Sequence, residues 1–168
     1  YDIVMNTDNL YQKRDVLRRL SELKEITGDR DAVVAYRNEV LDIAIESANK
    51  RDISLAHISL AIAYDTQADF LKAQHHYRAA LKIAEQMGIQ RFRLIIVGNL
   101  GYSYYLAGDY HLARDYTEEA LNVLLDEQNH YLSCVTMANL AAIYTQLEAL
   151  PEARQVVHDG MQLAVDLE

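Results

Sequence analysis

At 168 residues the chain suffices for one ordinary domain, and a formal net charge of −9 argues against a nucleic-acid-binding surface, which needs clustered lysine and arginine to neutralise phosphates. Six glycines and one proline leave little room for a turn-dense β fold, whereas abundant Ala, Leu, Glu, Gln and Arg favour helix. A single cysteine, Cys134, excludes an intrachain disulfide and a cysteine-based metal cluster, and fits a reducing compartment.

The elements follow a period of 40 residues. Leu20, Leu60, Leu100 and Leu140 share one phase, each followed by a small residue (Ser21, Ala61, Gly101, Ala141). Tyr64, Tyr104 and Tyr144 share a second phase, and Val33, Ala73, Ala113 and Ala153 a third. Leu41, Leu81, Leu121 and Met161 make a fourth. A fixed period of this size marks stacked repeats, in which each unit shares its core with its neighbours.

In chain order, residues 1–12 read as an N-terminal remnant or tail, and 13–168 as a repeat domain without an internal linker. The units span about 13–52, 53–92, 93–132 and 133–168. Apolar spacing predicts eight helices, at about 10–27, 30–48, 52–67, 70–87, 92–107, 110–127, 131–147 and 151–167. Gly28-Asp29, Ala68-Asp69 and Gly108-Asp109 break the pattern within units: the first residue ends a helix and the aspartate caps the next. Ala149-Leu150-Pro151 does so in the fourth unit, and Gly88 ends the second helix of unit two. Small residues at Gly101, Ala113 and Ala120 allow the two helices of unit three to approach closely.

These columns resemble the tetratricopeptide repeat (TPR). Unit three carries the pattern most fully, with Asn99-Leu100-Gly101, Tyr104, Gly108-Asp109-Tyr110, Ala113 and Ala120-Leu121. Unit two matches at Leu60, Ala61, Tyr64, Ala73, Tyr77, Ala80 and Leu81, and unit four at Asn139, Leu140, Ala141, Tyr144, Pro151 and Ala153. Unit one departs most, with Lys24 at the tyrosine phase and Val33 and Val40 at alanine phases. The basic family repeat has about 34 residues. The longer period here is similar to that of bacterial multidomain regulators, signalling ATPases and kinesin light chains. The resemblance implies an all-α, right-handed superhelix of four helix-turn-helix repeats, acting as a recognition or scaffold segment of a larger, bacterial-type signalling protein.

The resemblance also implies that the first helix of each unit lines a concave groove. The groove phases fall on Arg18, Arg19 and Glu22, then Ser59, Ile62 and Asp65. They continue at Asn99, Tyr102 and Tyr105, and at Asn139, Ala142, Thr145 and Gln146. An asparagine amide both donates and accepts, so Asn99 and Asn139 can pair with a partner's backbone or else bond within the stack. Tyr102 and Tyr105 add apolar area with a polar tip, as interface anchors do. Beyond Arg18 and Arg19 the groove phases hold no base, which disfavours capture of an acidic C-terminus.

Nothing in the sequence points to catalysis, a cofactor or a metal. His75 and His76 are adjacent and diverge on a helix, and the histidines read as solvated surface. Glu118-Glu119 reads as a solvated face, and Cys134 as partly buried packing. No phosphate loop, nucleophile elbow or dinucleotide fingerprint is present. The expected partner is a protein or peptide, with no nucleic-acid or membrane contact, in the cytoplasm. The last helix carries Val157, Met161, Leu163, Ala164 and Leu167 with no polar capping helix after them. Two readings stand open: the stack continues, or this face pairs with another copy. Residues 131–168 hold five acids and one arginine, so the C-terminal end would steer a basic partner.

Overall fold

The computed structural model describes residues 2–165, with side chains from residue 9 onward. Eight helices account for nearly all of them: α1 (Asp2–Thr27), α2 (Arg30–Glu46), α3 (Lys50–Thr66), α4 (Phe70–Met87), α5 (Gln90–Ala107), α6 (Tyr110–Asp126), α7 (His130–Gln146) and α8 (Leu150–Val165). No strand occurs among the described residues. The helix α1 begins earlier than the expected start near residue 10.

One backbone device connects these helices. Residues 28, 48, 68, 88, 108, 128 and 148 all lie in the left-handed region, with φ between 53° and 81°. The step is 20 residues, half the sequence period, so turns within and between repeats share this left-handed residue. Glycine stands at three of these positions; Ala48, Ala68, Gln128 and Glu148 take the conformation without its freedom.

The next residue closes the turn twice over. The Asp29 amide donates to the Lys24 carbonyl at 3.0 Å, finishing α1, while the Asp29 carboxylate accepts from the Ala32 amide, starting α2. Asp69, Asp109 and Asn129 repeat both bonds. The fourth unit keeps the backbone half, with the Ala149 amide on the Tyr144 carbonyl at 2.9 Å, but Ala149 has no side-chain acceptor. Thus Asn49 and Asn129 are caps that the sequence reading passed over.

The chain divides into two compact units, Tyr1–Gln90 and Arg91–Glu168. In the first, α2 packs on α1 and α3, and α3 on α4. Its core joins Leu41 and Ala44 of α2 to Ala56 and Leu60 of α3, flanked by Val40, Ile53 and Tyr64. In the second, α7 packs on α6 and α8, and Leu121, Met137 and Leu140 make a core edged by Tyr144, Val156 and Leu163. The small-residue crossing of α5 and α6 is tight: a Cβ at Gly101 would lie 3.0 Å from Thr117 Oγ1 and 3.3 Å from Tyr116 Cβ. Tyr104 stacks on Tyr116 beside it, centroids 5.5 Å apart.

Candidate functional site

The second unit holds a depression of about 440 Å³ whose lining includes Asn99, Tyr102 and Tyr105 of α5 and Asn139 and Ala142 of α7. Thr117 and Ala120 of α6 and Ile143 of α7 add to its wall. Asn99 and Asn139 occupy equivalent phases, one repeat apart, so the same helix geometry turns both amides toward this space. Gly98 lacks a side chain that would narrow it, and nothing lies within 4 Å of where its Cβ would stand.

Two features give the depression its chemistry. Neither Asn amide makes a hydrogen bond to another described residue, so each keeps donors and an acceptor to offer. The Tyr102 and Tyr105 rings stack with centroids 6.4 Å apart and 19° between planes, and Tyr105 leans in turn on Tyr110 at 5.7 Å. That support holds Tyr102 in place while leaving it 58% exposed. No lining residue carries a charge. The surface is therefore neutral, aromatic and amide-bearing.

The other groove candidates separate from this site. Arg18 borders a depression of about 370 Å³ in the first unit, with Arg14 and Arg37. Its charges are matched: Arg14 to Asp52 at 2.8 Å, Arg18 to Glu22 at 3.2 Å, and Arg37 to Glu25. Arg37 also donates to Ser21 Oγ and the Ser59 carbonyl, so it ties α2 to both flanking helices. Arg19 is exposed and lies off this lining. Asp65 accepts a hydrogen bond from the buried Tyr77 hydroxyl, and burial together with that carboxylate pushes the Tyr77 phenol well up. Thr145 donates to the Ala141 carbonyl at 2.8 Å and borders a separate depression beside α8, while Gln146 is exposed and lines neither.

On α8, Val157 is 46% and Met161 66% exposed, and Ala164 is open to solvent. Leu163 instead turns inward onto the Leu121, Met137 and Leu140 core. Leu167 lies outside the described residues.

The histidine reading needs correction. His57 of α3 and His76 of α4 are half-buried, with Nδ1 atoms 2.9 Å apart. A hydrogen bond there requires one ring protonated at Nδ1 and the other bare, a pairing across helices that spacing along one helix cannot reveal. Tyr64 stacks over His76 at 5.5 Å, and Lys72 sits 5.2 Å above the Tyr64 ring. Burial, then the His57 and His75 charges, holds His76 down at about 4; burial, then His75, lowers His57. Glu118 and Glu119 are engaged too: Glu118 accepts from the Tyr144 hydroxyl at 2.5 Å, and Glu119 pairs with Arg93. Burial and that carboxylate push Tyr144 up to about 12. Cys134 is half-buried, its Sγ 3.5 Å from the Gly160 carbonyl. Among the described residues no three His, Cys, Asp or Glu side chains converge to hold a metal ion.

Sequence reasoning missed Gly98, Thr117, Ala120, Thr136 and Ile143 of the lining. Thr136 stands one turn before Asn139 and could have been found by that spacing. Thr117 and Ala120 belong to α6, whose buried face periodicity assigns wholly to the core.

Repeating hairpins with one turn geometry and one set of packing columns define a helical-repeat fold of the TPR type. Solved structures of that type match over almost the whole chain. BtubC (BKLC) from P. vanneervenii is similar at 20% identity and TM-score 0.79, over 92% of this chain and 64% of that one. The STAND ATPase with a tetratricopeptide repeat sensor from Pyrococcus horikoshii matches at 20% identity and TM-score 0.82, over 96% and 25%. A Rap protein complexed with competence and sporulation factor matches at 20% identity and TM-score 0.77, over 94% and 44%. The chain thus spans between 25% and 64% of the length of these proteins. No protein-family model matches it, and comparison with curated proteins finds no relative. No helix among the described residues is long and apolar enough to cross a membrane.

Proposed function

We propose that this chain is a non-catalytic recognition module of a larger cytoplasmic signalling or regulatory protein of bacterial type. It binds an extended protein segment in the second unit's depression, between α5 and α7. The observation that carries this reading is the pair of unengaged amides, Asn99 and Asn139, beside the stacked Tyr102 and Tyr105. Each amide can pair with a peptide unit of the partner, and the exposed Tyr102 ring offers apolar area for a side chain to pack on. An uncharged lining selects against acidic or basic side chains at that point, because burying an unpaired charge is unfavourable. The similarity to a Rap protein solved in complex with competence and sporulation factor and to a tetratricopeptide repeat sensor supports a recognition role.

The test is capture on the immobilised chain, compared with an Asn99→Ala, Tyr102→Ala, Asn139→Ala variant of matched melting temperature. A partner retained by the wild type and lost by the variant, whose binding segment maps to an uncharged stretch, supports the reading. Equal retention by both removes it.

A further inference from the structure

Of the six glycines, all but Gly98 have a structural reason in this fold. Gly28, Gly88 and Gly108 hold positive φ at turns, Gly101 sits at the α5–α6 crossing, and a Cβ at Gly160 would meet the Met137 sulfur at 3.4 Å. Gly98 lies in the middle of α5 without a left-handed backbone and is exposed. Beyond its chain neighbours and its own helix backbone, nothing lies within 4 Å of where its Cβ would stand. A glycine at such a place weakens its helix, because it loses more conformational freedom on folding than alanine does. The repeat does not ask for it either: one period before and one after, the same phase carries Ile58 on α3 and Ala138 on α7.

The missing side chain leaves Tyr102 bare on one side. Residues four apart are neighbours on a helix surface, so a side chain at 98 would cover Tyr102 from the N-terminal side, as Tyr105 does from the other. Its absence leaves room in the same depression, beside a ring that is 58% exposed. The lining there holds no charged residue, so no carboxylate is at hand to pair a lysine or arginine, and no base to pair an acid. A ring seated in that room would meet the Tyr102 ring, and aromatic pairs attract beyond the area they bury.

We propose that Gly98 sets the specificity of this groove: an aromatic side chain of the bound segment takes the place that a side chain at 98 would fill, and packs on Tyr102. The assignment rests on the reading of the depression as a peptide groove.

A phage-displayed library of short random peptides, panned on the 168-residue chain, supplies the probe, and the enriched sequence is then made as a synthetic peptide. The enriched peptides should share an aromatic residue in an otherwise uncharged stretch. Gly98→Leu should weaken the synthetic peptide by about tenfold or more, because it fills the seat of a large side chain. Replacing the peptide's aromatic residue by alanine should cost the wild type as much and cost Gly98→Leu little. Gly98→Ala should also weaken binding while raising the melting temperature, which separates lost binding from lost folding. Enriched peptides without a shared aromatic residue overturn the proposal. So does binding that Gly98→Leu leaves unchanged, an alanine peptide that loses equally against both chains, or a Gly98→Ala chain that melts below the wild type. In those cases the groove reading survives if an Asn99→Ala, Asn139→Ala variant still loses the peptide. A library that enriches nothing, or peptides that bind this asparagine variant as tightly as the wild type, overturns both.

Discussion

Replacing Ala68 by glycine should stabilise the first unit, although it deletes a side-chain methyl. Ala68 holds φ at 59°, where an L side chain crowds its own backbone. That conformation costs a non-glycine residue about 1–2 kcal/mol. Glycine returns about 0.4–1 kcal/mol of this through the greater freedom of the unfolded chain. The net expectation is a gain of about 0.5–1 kcal/mol. Packing contributes little, because Ala68 is exposed, and the turn's bonds from Ala68 to Asp65 and from Asp69 to Tyr64 are backbone bonds that glycine keeps. Ala48, Gln128 and Glu148 are equally exposed and share the conformation, so the four substitutions should act in the same direction and nearly additively. The internal control is Glu127→Gly, one residue before Gln128 at φ −77°, which should destabilise by about 0.5–1 kcal/mol. The assay is urea unfolding followed by helical circular dichroism, comparing midpoints at unchanged slope. If Ala68→Gly and Gln128→Gly both lower the midpoint as Glu127→Gly does, the left-handed turn assignment is wrong.

Acid should loosen the first unit through its histidine pair. Because His76 is lowered to about 4 and His57 is also lowered, the unfolded chain binds protons first as pH falls below about 6.5. Their contribution is whole above that pH and is lost as pH drops toward 4. The full shift would correspond to about 3 kcal/mol, which half-exposure reduces to about 1–2 kcal/mol. Melting temperature against pH should fall less steeply for His76→Asn than for the wild type between pH 6.5 and 4; parallel curves would refute the coupling. Gly101→Leu should destabilise the α5–α6 crossing by about 1–3 kcal/mol, since even a Cβ there meets Thr117 Oγ1 at 3.0 Å. An unchanged unfolding midpoint would show that the crossing has room.

Much of the fold was legible because its causes are local and repeated. Leu60, Leu100 and Leu140 recur at one phase and are each at most 2% exposed, so the period itself marks the core. The turns within units were legible from Gly28, Gly108, Ala68-Asp69 and Ala149-Leu150-Pro151, while no residue type announced the left-handed positions Ala48 and Gln128, where the chain tolerates a strained backbone instead. A turn type written in backbone dihedrals leaves a trace in sequence only when it selects a residue. At these sites the more reliable mark is the residue that follows, Asn49 or Asn129, whose side chain caps the next helix.

The groove shows the same division between what one helix encodes and what two must share. Asn99, Tyr102 and Tyr105 lie on one face of α5, so helical spacing alone grouped them. Their meeting with Asn139 follows from the repeat, which carries one phase of α5 onto α7. What spacing could not supply was whether a polar side chain is already satisfied by a neighbour across the bundle. Asp65, at a groove phase of α3, is taken by Tyr77 of α4, whereas Arg18 pairs with Glu22 one turn along its own helix. Asn99 and Asn139 are not so taken, because their lining neighbours on α6 are Thr117, whose hydroxyl donates to the Ala113 carbonyl at 2.7 Å, and Ala120, which has no polar atom in its side chain. The α6 residues thus fill the wall without satisfying the amides, and the proposed peptide site rests on that rather than on the asparagines alone.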